Sequence, residues 1–220
     1  MYAPLLTGGR LCLFPAAVND YAGISETIER EQVTVINCAP SLIFPLIDLH
    51  VPEEDQKDLG HHFSRLRSVN RLFLGGEPIH LLKLRPWTAS PSFCAEIINT
   101  YGPTECTDVS SYYRLTYQDV SHGTNVPIGS SVYNTQLYVL DENLQVLPLG
   151  MVGELYIGGV GLARGYYRAK EQTMEKFLDS PVSGSCSAIR AASMFLDFPG
   201  RARNRSSMLA GRRSAIWEKA

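Results

Sequence analysis

The chain has 220 residues, 45% apolar and 10% aromatic, enough to bury a core in one domain or one and a half. Its 22 acidic and 20 basic residues leave a net charge of -2, which gives no electrostatic case for nucleic acid or an anionic membrane surface as a partner. Five scattered cysteines (Cys12, Cys38, Cys94, Cys106 and Cys186) form no Cys-x-x-Cys pair and read as reduced thiols of a cytoplasmic protein, not as a disulfide frame or a zinc site.

Residues 1–14 are short, hold Gly8, Gly9 and Arg10, and lack the basic and apolar regions of a secretory leader. No apolar run reaches the length of a membrane span. Residues 11–14 read as a short strand. Residues 20–31 read as a helix with Tyr21, Ile24 and Ile28 on one face. Residues 33–37 are a second strand, broken by Ala39-Pro40-Ser41, which opens a helix through Leu42, Ile43, Leu46 and Ile47. The mixed-charge stretch 52–67 reads as a surface turn and helix. Residues 72–74 form a strand into Gly75-Gly76-Glu77-Pro78, residues 79–87 a helix, and residues 95–98 a further strand. Strand and helix in alternation imply an α/β fold, a mostly parallel sheet with flanking helices.

Beyond Tyr117 the pattern becomes antiparallel β. Residues 136–140 alternate into the turn Asp141-Glu142-Asn143, residues 145–147 pair back, Pro148-Leu149-Gly150 turns again, and residues 154–157 form the next strand. Residues 158–166 concentrate four glycines. With no Lys-Ser/Thr to close a phosphate loop, they read as a structural corner. From Pro181 to Ala220, seven basic residues face two acids, a net +5 that leaves -7 on the first 180 residues. That stretch is rich in Ser, Ala and Gly and has no sustained period. Without aromatics among its arginines, it is read as an irregular tail and not as a nucleic-acid arm. The expected organisation is therefore an α/β part over residues 1–117, a small antiparallel β subdomain over 118–177, and an irregular basic tail over 178–220.

In parallel sheets, ligands collect where strands end, so two loops matter. One is Gly75-Gly76-Glu77-Pro78, where paired glycines either let backbone approach something flat or simply make a turn. The other follows the strand into Asn99-Thr100-Tyr101-Gly102-Pro103-Thr104-Glu105. This run places a flat aromatic, an amide, a hydroxyl and a carboxylate beside a tight turn. A nucleotide would use all four: Tyr101 to stack on a base, Asn99 to hydrogen-bond its edge, Thr104 to touch phosphate and Glu105 to hold Mg2+. The alternative is an ordinary strand and turn with Tyr101 in the core.

Four ordered segments carry a resemblance: Gly75-Gly76-Glu77, Asn99 to Glu105, Val126-Pro127-Ile128-Gly129, and Gly153-Glu154-Leu155-Tyr156-Ile157-Gly158-Gly159 through Ala163-Arg164-Gly165-Tyr166. Over about residues 1–177 the chain resembles the amino-acid adenylation domains of nonribosomal peptide synthetases, within the acyl-adenylate-forming superfamily that also holds acyl-CoA synthetases. The resemblance implies part of the large N-terminal domain of an adenylate-forming ligase, which converts an amino acid and ATP into aminoacyl-AMP and pyrophosphate. It further implies ATP and Mg2+ as cofactors and a phosphopantetheinyl carrier protein as partner. Carried over, Asn99 and Tyr101 contact adenine and Gly75, Gly76 and Glu77 line the same pocket through their backbone. Thr104 meets phosphate, Glu105 holds the metal, and these two form the catalytic pair. Asn37, Phe73, Gly75, Thr100, Asp108 and Val109 line the amino-acid side chain. Asp108 would select a polar or cationic substrate if it faces inward, or else points to solvent.

The chain departs from the family pattern in what it lacks: a Thr-Ser-Gly-rich phosphate loop, the aspartate that grips the substrate amino group, a Tyr-x-Thr-Gly-Asp segment after Phe177, and the small domain with its lysine. Those departures raise a second expectation, a catalytically inactive truncated or frame-shifted product, and a third, a module that binds nucleotide without turnover.

Overall fold

In the computed structural model, which describes residues 2–13, 20–51, 63–123, 125–179, 187–197 and 201–204, the chain opens with a short helix, α1 (Tyr2–Leu6). The second helix has a chemically marked start. Asp20 caps α2 (Tyr21–Glu31), its carboxylate accepting from the Gly23 N–H at 2.9 Å. Strand β1 (Val35–Cys38) runs into α3 (Pro40–Asp48), whose first position suits Pro40 because no helical N–H is needed there. A 3-10 turn at Ser64–Leu66 precedes β2 (Arg71–Gly75), α4 (Leu81–Thr88) and β3 (Glu96–Tyr101). A second 3-10 turn, Thr104–Cys106, leads to β4 (Ser111–Arg114). Next comes α5 (Tyr117–His122), which starts on a capping box between Thr116 and Asp119. The remaining elements are β5 (Ser130–Ser131), β6 (Thr135–Leu140), β7 (Val152–Gly159), α6 (Lys170–Lys176), β8 (Phe177–Asp179), β9 (Ser187–Asp197) and β10 (Arg201–Asn204).

Among the described residues the strands form two five-stranded sheets. The first has the order β1-β2-β3-β4-β5: the first three strands are parallel and the last two antiparallel, so the sheet is mixed. The second, antiparallel throughout, has the order β10-β9-β7-β6, with β8 on β9. The α/β class and the small antiparallel sheet expected from the sequence are both present.

Strand alternation decides which face of the first sheet is covered. Leu72, Leu74 and Ile97 point into a core shared with Ile28, Ile43, Leu46, Ile47, Leu84 and Trp87 from α2, α3 and α4. On the opposite face Arg71, Glu96 and Arg114 form an ion-pair row, with Arg71–Glu96 at 3.5 Å and Arg114–Glu96 at 2.7 Å. Val35 and Tyr112 are exposed on that face. A separate core of Ile128, Val139, Leu155, Ile157 and Ile189 fills the second sheet's side and takes in Cys106 from the second 3-10 turn.

Several expected elements differ. Residues 11–13 form no strand, and residue 14 lies outside the described residues, as does 52–62 of the expected turn and helix. Residues 145–147 do pair back on the end of β6, through the Leu140–Val146 bridge, Asp141 N–H to the Gln145 carbonyl at 3.0 Å and Leu147 N–H to the Val139 carbonyl at 2.9 Å, but form no strand of their own. The first sheet continues past residue 117 to β5, which pairs with β4 through two residues, too few to show alternation in sequence. The stretch expected to be an irregular tail holds β8, β9 and β10. The β9 strand is recruited by the free edge of β7, with Ile157 opposite Ile189 and Gly158 opposite Ala188. Its run of small residues hid it, since alanine has little strand preference of its own.

Burial on α4 gives a direct check of the first core. Leu84 is fully buried while Leu82 is 68% exposed. Leu84→Ala should lower the unfolding free energy by about 3 kcal/mol and Leu82→Ala by less than about 0.5 kcal/mol, read from urea titrations of each variant.

Candidate functional site

Because β1, β2 and β3 are parallel, their carboxyl ends lie along one edge of the sheet, with Cys38 opposite Leu74 and Gly75 opposite Thr100. Two loops leave that edge, residues 76–80 and 102–110. Gly75 must be glycine for a local reason. A Cβ there would lie 2.5 Å from Thr100 Oγ1 and 3.1 Å from the Thr100 carbonyl, and Thr100 Oγ1 already donates to the Leu74 carbonyl at 3.1 Å. Gly76 has φ 83° and open space where a side chain would stand, so backbone is accessible at the mouth of the edge.

Glu77 turns away to serve the fold. Its carboxylate accepts from Ser41 N–H and Ser41 Oγ, both at 2.9 Å, at the first turn of α3. The α3 N-cap, Ala39, has no side-chain acceptor, so Glu77 supplies the missing cap and places negative charge at the positive end of the helix. The expected role of Glu77 through its backbone leaves this carboxylate free to pin the loop.

The motif on β3 divides between fold and surface. Asn99 is buried, and its amide donates to the Pro127 carbonyl at 2.7 Å, which ties the Val126 to Gly129 segment to the strand. Tyr101 is half-buried and packs against the second core. Burial, reinforced by the neighbouring Cys106 thiol, pushes its phenol up to about 12. Burial likewise pushes the Cys106 thiol up to about 11. After Tyr101 the chain doubles back tightly. A Cβ on Gly102 would collide with the Asp108 carbonyl, and Ser110 N–H closes the loop onto the Tyr101 carbonyl at 2.8 Å.

At the tip of that loop, Thr104 is exposed and Glu105 is half-exposed. The Tyr166 hydroxyl donates to Glu105 Oε1 and, as the main cause, holds the carboxyl below its ordinary value. Thr107 and Asp108 follow with φ of 61° and 72°, two successive left-handed non-glycine residues that cost roughly 1–2 kcal/mol each. Their conformation is held by Thr107 Oγ1 donating to the Gly161 carbonyl at 2.6 Å. Asp108 is exposed and Val109 half-buried.

Of the six expected substrate-lining residues, Asn37, Phe73, Gly75 and Thr100 share a sheet face by register, whereas Asp108 and Val109 lie in the loop after β3. Asn37 lies opposite Phe73, and Gly75 opposite Thr100. Asn37 is exposed, and Phe73 and Thr100 are half-buried. No group of three or more His, Cys, Asp or Glu side chains gathers among the described residues. A cation at Glu105 would therefore take most of its ligands from water and phosphate oxygens, as magnesium ordinarily does.

Three side chains escaped sequence reasoning. Ser41 and Tyr166 engage the expected site carboxylates, and Thr107 anchors the turn. The glycine-rich run 158–166, read as a corner, is one, and it packs directly on the Thr104–Cys106 turn. A Cβ on Gly161 would lie 2.9 Å from the Cys106 carbonyl, and Ala163 N–H donates to the Glu105 carbonyl at 2.7 Å. Its glycines signal close approach, but nothing in their spacing says to what.

The family described as AMP-binding enzyme matches residues 1–167. Tyrocidine synthase 3 of Brevibacillus parabrevis is 38% identical over 178 residues, 80% of this chain and 3% of that protein. Gramicidin S synthase 1 of Brevibacillus brevis is 34% identical over 182 residues, 82% of this chain and 15% of that protein. The chain thus spans a small part of these curated relatives. Among solved structures, PA1221, an NRPS protein containing adenylation and PCP domains, superposes with a TM-score of 0.77 at 26% identity, covering 92% of this chain and 39% of that one. The Klebsiella oxytoca NpsA N-terminal subdomain bound to 3-hydroxybenzoyl-AMSN shares the fold, with a TM-score of 0.72 at 24% identity over 90% of this chain and 47% of that one.

The raised phenol of Tyr101 has a consequence for stability. A folded-state value above the unfolded one contributes stability in full below pH 10 that is lost as pH rises toward about 12. Tyr101→Phe should flatten the alkaline fall in unfolding free energy over that interval. The check is urea titration at several pH values, against the earlier fall contributed by Cys38 and Cys106, whose thiols move from 9.0 to about 11.

Proposed function

Since the chain belongs to the AMP-binding enzyme family, we propose that it is the nucleotide- and amino-acid-facing part of an adenylation domain from a nonribosomal peptide synthetase. The observation that carries this reading is the juxtaposition, at one edge of the sheet, of half-buried Tyr101, the open backbone at Gly76, exposed Thr104 and the ionised Glu105. These residues suit a nucleotide. Tyr101 offers a ring and Gly76 its backbone to adenine, Asn99 ties β3, the strand that carries Tyr101, to the Pro127 carbonyl, and Thr104 offers a hydroxyl to phosphate. Glu105 fits a hard cation, because one oxygen accepts from Tyr166 while the group stays charged. Mg2+ held there would neutralise phosphate charge.

The reaction is amino acid plus ATP giving aminoacyl-AMP and pyrophosphate. A carboxylate oxygen of the amino acid bonds to the α-phosphorus as the bond to the bridging oxygen breaks, and pyrophosphate leaves with that electron pair. The chain's part is positioning: Thr104 orients phosphate, and Asn37, Phe73, Gly75, Thr100, Asp108 and Val109 border the amino-acid side chain. Asp108 is exposed, so it would favour a polar or cationic group only where a bound substrate covers it. The product would pass to a phosphopantetheinyl carrier protein in the cytoplasm, where the unpaired thiols Cys12, Cys38, Cys94 and Cys106 remain reduced. No helix among the described residues is long and apolar enough to cross a membrane.

A second reading, binding without turnover, is favoured by one observation: residues 178–220 contain no Thr-Gly-Asp to hold the ribose hydroxyls. Titration calorimetry of the chain with ATP and Mg2+, followed by ATP–pyrophosphate exchange with a panel of amino acids, separates the two. Binding whose affinity Tyr101→Ala reduces about tenfold or more supports a nucleotide site, since a base stacked on an aromatic is worth roughly 1–3 kcal/mol. Exchange adds catalysis to it. No heat at millimolar nucleotide rejects both readings.

A further inference from the structure

We propose that Tyr166 is the positioning residue for Glu105: its phenol occupies one carboxylate oxygen and so fixes the other toward the cation, making the glycine-rich run 158–166 part of the site. The inference rests on the nucleotide reading above and adds a role to a segment that reads in sequence as a corner.

Four contacts join this run to the turn. Thr107 Oγ1 donates to the Gly161 carbonyl at 2.6 Å, and Ala163 N–H donates to the Glu105 carbonyl at 2.7 Å. Gly161 lies so close to the Cys106 carbonyl that a Cβ would stand 2.9 Å from it. Tyr166 then reaches the Glu105 side chain itself. Backbone and side chain of the same glutamate are thus both held by one segment.

Tyr166 is itself held. Its backbone N–H donates to Thr173 Oγ1 at 2.9 Å, and its ring meets the Phe177 ring edge-on, with centroids 5.5 Å apart and planes at 79°. Gly165, at φ 134°, allows this approach, because a Cβ there would stand 2.5 Å from Thr173 Cγ2. Helix α6 therefore locates Tyr166, and Tyr166 locates Glu105. A glutamate has three side-chain torsions to order before it can ligate, and an anchored hydroxyl on Oε1 removes most of that freedom in advance. Hydrogen bonds to an ionised group are also the stronger kind.

The test measures ATP affinity of the full chain by calorimetry with and without Mn2+, for the unaltered chain, Tyr166→Phe and Glu105→Gln. Tyr166→Phe keeps the ring on Phe177. It should leave metal-free ATP affinity within about twofold and cut the Mn2+-dependent gain on the order of tenfold, the size of a lost charged hydrogen bond. Glu105→Gln should abolish that gain. If Glu105→Gln abolishes it and Tyr166→Phe retains it, the inference fails and the nucleotide reading stands. If Tyr166→Phe weakens metal-free binding by the same factor, the phenol serves only the fold and the inference also fails. No Mn2+-dependent gain in the unaltered chain overturns the inference together with the metal role of Glu105.

Discussion

The Thr104–Cys106 turn is attached on both sides, and the rest of the site depends on that attachment. Its entry is fixed by β3, and its exit is strained through Thr107 and Asp108, both left-handed. Such a conformation persists only where neighbours over-determine it. Here the neighbours are the Gly161 carbonyl, which accepts from Thr107, and the Tyr101 carbonyl, which accepts from Ser110 N–H. Cys106, at the end of the turn, is buried in the second core and anchors it from beneath. Exposed Thr104 and half-exposed Glu105 stand on a backbone with little freedom left, as the proposed positioning of a polyphosphate would require.

The same arrangement explains why two cores coexist in one short chain. The helices cover a single face of the first sheet, and the second sheet closes its own core without them. Tyr101 and Cys106 leave the first sheet at β3 and are absorbed by the second core, while the Asn99 amide holds Pro127 from the strand itself. The loop therefore crosses from one packed body to the other and carries its polar groups along the crossing. Glu77 does the matching work on the other loop, capping α3 across 36 residues of sequence and holding Gly76 at the mouth of the sheet.

Much of this was legible in the sequence, for identifiable reasons. The alternation of strand and helix through residue 101 depends on local period and on the punctuation of Asp20, Pro40 and Gly75-Gly76, so β1, α3, β2, α4 and β3 fall within a few residues of where they are expected. The motif at Asn99 to Glu105 stands at the end of β3, as its strand-and-turn pattern suggested, but burial divides it in a way the residue types do not announce: Asn99 is buried on the Pro127 carbonyl and Tyr101 packs on the second core, whereas Thr104 is exposed. The failures are all long-range. The β9 strand forms because β7 presents an edge, and its own sequence does not announce it. Tyr166 finds Glu105 across 61 residues, and Ser41 finds Glu77 across 36; no periodicity encodes either meeting. Residues 11–13 misled because a brief apolar run without a partner strand has nothing to pair with.

The most direct test is backbone amide NMR of the chain titrated with ATP and Mg2+. Nucleotide binding at the two loops should give shift changes centred on Gly75 to Glu77 and Tyr101 to Thr107, extending to Ala163 and Tyr166. Changes centred instead on the cavity lined by Asp141, Glu154, Tyr156 and Arg190, with the two loops silent, would contradict it.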